Sequence, residues 1–345
     1  MTMRRVAVWV MLVTAAFAAE RAYAAEQAKS IYLLGVTASM AGVTPPSGTY
    51  FSSFTYLYSG DATGGAALSL TLPITGTALP SFATLQANAD LGVKANVALD
   101  VFSALWVAPE HVLGGNFGVG ILLPVGYQGV DVNVNALSSL TFPDGTVLGR
   151  GRSLGISDNT FAVGDPLATA FLGWNAGNWH WKVTGLLNVP VGDYSRNNLV
   201  NMGFNRWAAD LTGSVTWLDP QSGFEVSVAV GSTFNGENPA TNYKTGTELH
   251  LEGAVMQHFS KDFAVGIAAY HYEQVTGDSG EGAVLGDFEG RVSAIGPNLT
   301  YNLKVGDVPV LTSVRWLHEF NAKNRLQGDA GFVTVTIPFG GAPAH

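Results

Sequence analysis

From Trp207 to His258 the chain alternates apolar and polar residues at every second position, three times over. Trp207, Ala209, Leu211, Gly213, Val215 and Trp217 fall on one face of an extended segment, and Ala208, Asp210, Thr212, Ser214 and Thr216 on the other. Phe224, Val226, Val228 and Val230 then oppose Glu225, Ser227 and Ala229; Leu249, Leu251, Gly253 and Val255 oppose Glu248, His250 and Glu252. A period of two predicts strands with one greasy and one wet face. Charges on the wet face and aromatics near the ends of the greasy one predict a barrel that meets lipid outside and polar groups inside.

Carried along the chain, the same pattern predicts twelve strands, at 49–59, 84–106, 116–137, 161–175, 179–191, 207–218, 223–234, 247–258, 263–275, 288–304, 309–320 and 328–339. Their connections alternate in length. The segments 60–83, 138–160, 192–206, 235–246, 276–287 and 321–327 are long, whereas 107–115, 176–178, 220–222, 260–262 and 305–308 are short. The predicted fold is therefore all-β: a transmembrane antiparallel β-barrel of about 12 strands, with long extracellular loops and short periplasmic turns. A soluble sandwich, the alternative, gives no reason for loop lengths to alternate.

Leu91, Val93, Ala95, Val97, Leu99 and Val101 alternate with Asp90, Gly92, Lys94, Asn96, Ala98 and Asp100, and the second set is expected to face the lumen. Two strands are harder to phase. In 288–304 the apolar set moves from even positions (Phe288, Val292, Ala294) to odd ones (Leu299, Tyr301, Leu303), which predicts a bulge around Ile295-Gly296-Pro297. In 263–275 the pattern leaves open whether Tyr270 and Tyr272, or His271 and Glu273, point inward.

Composition narrows the compartment. Arg4 and Arg5, an apolar run from Val6 to Ala19 and the small-x-small site Ala22-Tyr23-Ala24 predict a signal peptide over 1–24. The apolar run is about 14 residues, short of the ~20 that a spanning helix needs. Removing 1–24 takes away three positive charges and one negative, moving the net charge from −9 to −11. With no basic patch, nucleic acid is excluded as a partner. The chain has no cysteine, so neither disulfides nor thiolate metal sites enter. Charged residues make up 12%, against about 25% in soluble domains, which fits a chain dissolved in lipid. Residues 25–48, with Pro45-Pro46, form an N-terminal segment ahead of the barrel (49–345), expected to fold into its mouth from the periplasmic side or to plug its lumen.

Projecting the wet faces inward brings together Asp90, Lys94 and Asp100; His180 and Lys182; Arg206 and Asp210; Glu225; Glu248, His250 and Glu252; Glu289 and Arg291; and Arg315 and Glu319. The candidate lumen or substrate-lining set is Lys94, Asp100, His180, Lys182, Asp210, Glu248, His250, Glu252, Arg291, Arg315 and Glu319. In a narrow barrel such charges pair across the interior. The alternative is that part of the set lines a solute path, with Tyr270 and Tyr272 gripping an apolar substrate. Glu248-x-His250-x-Glu252 places three ligand types on one strand face, but a metal there needs a further ligand from another strand, and no metal is assigned. No HExxH motif occurs, and no catalytic residue or cofactor is expected.

Several runs carry a resemblance: SIYLLGVTASMAGVTPPSGTYF, GDPLATAFLGWNAGNWHW, NVPVGDY, the stretch from NMGFNRWAADLTG to NGENPATNYKTGTELHLE, QHFSKDFAVG, and TGDSG followed by LGDFEGRVSAIGP. Over nearly the whole mature chain these resemble the outer-membrane proteins grouped under "MetA-pathway of phenol degradation". The resemblance implies an outer-membrane barrel that helps small hydrophobic or aromatic, phenol-type compounds to cross, and supplies no catalytic residues; the barrel is expected to act as a monomeric channel. A closed structural or binding barrel without transport is the alternative, and an outer-membrane lipid hydrolase a third. Outer-membrane lipid and small hydrophobic solutes are the expected partners.

Overall fold

The structure is a computed structural model that describes residues 29–74, 81–141, 146–283, 289–306 and 308–339. The expected signal peptide, 1–24, lies outside these residues. The strands are β1 (Gly48–Ile74), β2 (Ser81–Val112), β3 (Gly115–Thr141), β4 (Val147–Val163), β5 (Leu167–Ala176), β6 (Trp179–Asn188), β7 (Ala208–Asp219) and β8 (Phe224–Asn235). They continue with β9 (Glu237–Asn238), β10 (Tyr243–Lys244), β11 (Glu248–His258), β12 (Phe263–Gln274), β13 (Arg291–Val305), β14 (Val308–Lys323) and β15 (Gln327–Phe339).

All but β9 and β10 join one antiparallel sheet, and the pairing of β1 with β15, from Thr49↔Phe339 to Asp61↔Gln327, closes it. The strand β3 is paired by β5 along its lower part (Asn116 to Leu122) and by β4 along its upper part (Val125 to Thr141). β4 and β5 are thus one strand of the wall interrupted at Gly164-Asp165-Pro166, and the barrel has twelve wall positions. Closure pairs most backbone groups of the wall between strands, which is what lipid demands.

The outward face explains the composition. Phe51, Leu57, Phe102, Ile121, Leu211, Val230, Leu251, Ile267 and Trp316 are all exposed, Val230 by 57% and Leu211 by 58%. A continuous apolar belt around a closed wall is tolerable only against hydrocarbon. The protein is a membrane-spanning β-barrel.

Three expectations about the wall are corrected. The segments 60–83 and 138–160, read as loops, are largely strand: β1 pairs β2 from Gly48↔Val107 to Ile74↔Ser81, and β3 pairs β4 from Thr141↔Val147 to Val125↔Val163. Likewise β2 runs on to Val112, and the expected loop 107–115 shrinks to a turn at Leu113 (φ 50°) and Gly114 (φ 74°), the left-handed pair of a tight hairpin. β2 has 32 residues, roughly 100 Å at ~3.3 Å per residue, while crossing a bilayer takes about 9–11. β1 to β4 therefore rise far beyond the membrane. The bulge expected at 295–297 is absent: β12 pairs β13 in constant register through Ile267↔Pro297, and the register shift lies at Arg291/Ser293. Val292 and Ala294 are apolar and buried because they face inward, with the whole strand in one phase. Tyr270 and Tyr272 also point inward, settling the open choice in β12.

Candidate functional site

Residues 29–47 lie inside the barrel. They run down the lumen, from Lys29, which donates to the carbonyl of Asn201, to Pro46, whose carbonyl accepts from Tyr50 at 2.7 Å just before β1. The wet faces of β7, β8 and β11 hold this plug. Glu252 accepts from the backbone N–H groups of Gly35 (2.6 Å) and Thr37 (2.8 Å). Glu225 accepts from Met40 N–H (2.6 Å) and Ser39 Oγ (3.0 Å). Glu248 accepts from Ser30 Oγ at 3.0 Å, and Thr216 Oγ1 from Gly42 N–H at 2.9 Å. Arg315 donates to the carbonyl of Gly35, and Lys182 Nζ to that of Val43 at 3.5 Å. The plug lacks regular secondary structure, so its backbone groups need outside partners, and these side chains supply them. Tyr32 adds a face-on stack against His250, with ring centroids 3.6 Å apart. His250 is positioned in turn by Asp210, 3.0 Å from its Nε2.

The other half of the lumen is greasy. The inward faces of β1, β2, β3 and β6 and the plug residues Leu33, Leu34 and Val36 enclose a cavity of about 250 Å³. Phe54, Tyr56, Val97, Leu99, Leu122, Pro124, Leu186 and Phe204 make up much of its wall. Its polar rim is Tyr58, Tyr270, Glu319, Lys29 and Arg325. Glu319 accepts from Tyr58 Oη at 2.8 Å, Tyr270 Oη and Gly328 N–H at 2.9 Å.

Beside this cavity the wall is incomplete. β6 pairs β5 only as far as Asn188↔Leu167, after which the chain leaves at Val189-Pro190, while β4 pairs only with β3. Pro166 and Pro190 have no N–H to give a ladder. The gap is bridged by Asp193 N–H donating to Val163 O at 2.9 Å and by Asp165, buried, which accepts from Gly192 N–H (2.7 Å), Asn188 Nδ2 (3.0 Å) and Phe204 N–H (2.7 Å). Gly192 and Gly164 pack backbone to backbone; a Cβ on Gly192 would sit 2.4 Å from the Gly164 carbonyl carbon. Phe161 (75% exposed) and Val191 (71%) flank the break on the outside.

Of the eleven candidate residues, His180, Lys182, Asp210, Glu248, His250, Glu252, Arg315 and Glu319 stand on inward faces. Lys94, Asp100 and Arg291 do not. Lys94 and Arg291 are exposed, and Asp100 accepts from Ser53 Oγ (2.6 Å) on the outer face. The physical reason is the height of β2. Beyond the lipid the outside is water, so the polar set turns outward and Val93, Ala95, Val97, Leu99 and Val101 turn in. Asp90 and Glu289 are likewise exposed. The Glu248-x-His250-x-Glu252 face holds the plug, each side chain engaging partners of its own. The apolar inner wall and Arg325 were missed by sequence reasoning that equated greasy with outward. The signal was present: the even face of β2 changes from Asp90, Lys94 and Asn96 to Phe102 and Trp106 along one strand.

The chain belongs to the family described as "Putative MetA-pathway of phenol degradation", which matches residues 61–335. Among solved structures it is similar to the COG4313 outer membrane channel from Pseudomonas putida F1, at 15% identity and a TM-score of 0.58, covering 89% of this chain and all of that one. That likeness is one of fold. A Pseudomonas aeruginosa FadL homologue (8% identity, TM-score 0.35, 88% of this chain and 93% of that one) is more distant. So is the CymD monoaromatic hydrocarbon channel (10%, 0.32, 86% and 89%). No curated protein matches the sequence.

Proposed function

We infer that the barrel is a conduit, not an enzyme, carrying small hydrophobic or monocyclic aromatic compounds across the outer membrane as a monomer. The apolar cavity beside the break in the wall carries this reading. A cavity of ~150 Å³ lined by aliphatic and aromatic side chains already takes a benzene molecule, so about 250 Å³ suits a substituted single ring. The plug fills the polar half of the lumen, which disfavours water-soluble cargo. The membership of a phenol-degradation family and the fold of an outer-membrane channel point the same way. A solute dissolved in lipid next to Phe161 and Val191 lies one wall thickness from Leu122, Pro124 and Phe204.

The test uses vesicles with a lipopolysaccharide outer leaflet, which slows apolar solutes, and internal cyclodextrin to trap what enters. Protein-bearing vesicles are expected to accumulate ethylbenzene severalfold faster than empty ones and arabinose no faster. The fixed plug favours a second reading, a barrel that binds without transport. Binding of ethylbenzene with no gain in uptake would select it, and uptake of arabinose would sink both.

A further inference from the structure

The cavity is mostly greasy, and one cation that lines it has no hydrogen-bonding partner among the described residues for part of its head. Arg325 lies in the turn between β14 and β15 and lines the cavity. Its guanidinium stacks over the Tyr272 ring, 4.1 Å from the centroid, which fixes its plane. Its Nη1 is buried and has no hydrogen-bond partner among the described residues. A buried guanidinium N–H without an acceptor is costly and uncommon in a finished structure.

The neighbouring carboxylates do not fill that vacancy. Glu319 already accepts from Tyr58, Tyr270 and Gly328. Glu248 accepts from Ser30, Tyr272 and Asn235. Both carboxylates lie within electrostatic reach of Arg325, whose positive charge offsets part of theirs. On the β1 and β2 side the cavity shared with Arg325 is lined by Phe54, Tyr56, Tyr58, Val97 and Leu99.

We propose that the cavity takes an amphiphile, a monocyclic aromatic carboxylate, with its ring among Phe54, Leu99 and Pro124 and its carboxylate accepting from Arg325. This rests on the cavity being the solute site and adds the charge class of the solute. A planar carboxylate fits the guanidinium fork, and charge assistance makes the bond about twice as strong as a neutral one. A purely apolar solute would leave Nη1 unmet.

Three probes decide it, with full-length mature protein in nanodiscs and binding read by calorimetry: 4-ethylbenzoate, its isosteric neutral amide 4-ethylbenzamide, and ethylbenzene. The wild type is expected to bind the benzoate about tenfold tighter than the amide. Arg325→Met is expected to bring that ratio to about one, and Arg325→Lys to keep a reduced preference. A wild-type ratio of one, or an undiminished ratio in Arg325→Met, overturns the proposal. Tighter binding of 4-ethylbenzylamine than of the benzoate also overturns it, assigning the head to Glu319. If the wild type binds ethylbenzene with a ratio of one, only this proposal falls; if it binds none of the three, the solute site itself falls. The wild-type comparison stands even if a variant fails to assemble.

Discussion

At the scale of single residues, the lumen shows what its charges are for. Glu252 is buried and spends both oxygens on backbone N–H groups of the plug, with the Arg315 guanidinium in electrostatic reach. Removing it leaves two buried donors unmet. Glu252→Ala is expected to lower the unfolding free energy by about 2–6 kcal/mol, at roughly 1–3 kcal/mol for each of the two unsatisfied donors. The exposed Glu289→Ala should stay within about 0.5 kcal/mol of the parent. Denaturant unfolding of both variants in one detergent checks this; equal midpoints would mean the plug is not held by Glu252. The inward placement of Glu248, His250 and Glu252 was legible because ten residues of clean alternation leave one choice of face. Their partners were not, because the plug they grip has no periodicity. Arg325 was invisible for the same reason: one residue in a turn carries no pattern, and its importance comes from Tyr272 and the cavity folding next to it.

At the scale of elements, most strands from β6 to β15 were readable to within a few residues, since each crosses lipid and one phase of alternation serves throughout. β1 to β4 were misjudged where they leave the membrane. There the solvent outside changes from hydrocarbon to water, and the same strand must invert its polarity, as β2 does between Asn96 and Phe102. The interruption between β4 and β5 was written in Gly164-Asp165-Pro166 and Val189-Pro190, yet an apolar reading ran straight through both. If this break is the way in, tying it shut should stop traffic. Val163→Cys with Asp193→Cys places the only two thiols of the chain across the 2.9 Å backbone bond that spans it, both on exposed side chains. Oxidation is expected to cut ethylbenzene uptake severalfold, and reductant to restore it. Unchanged uptake in the oxidised form would move the entry point to the outer loops.

At the scale of the whole molecule, the lumen is divided lengthwise. One half, from β7, β8 and β11, is polar and committed to the plug. The other, from β1, β2, β3 and β6, is apolar and open as a cavity. Under the proposed function this division sets what would cross: ions and sugars would find the polar half occupied, and apolar rings would find the other half shaped for them. It also explains how a chain with 12% charged residues can place acids at its centre without destabilising them, since each meets backbone or hydroxyl donors. The account stands or falls on the cavity holding an aromatic ring. Crystals of the protein grown with 4-bromotoluene, with data collected at the bromine edge, test this directly. An anomalous peak between Tyr56, Leu99 and Pro124 is the predicted result; bromine confined to the detergent belt around the barrel would contradict it.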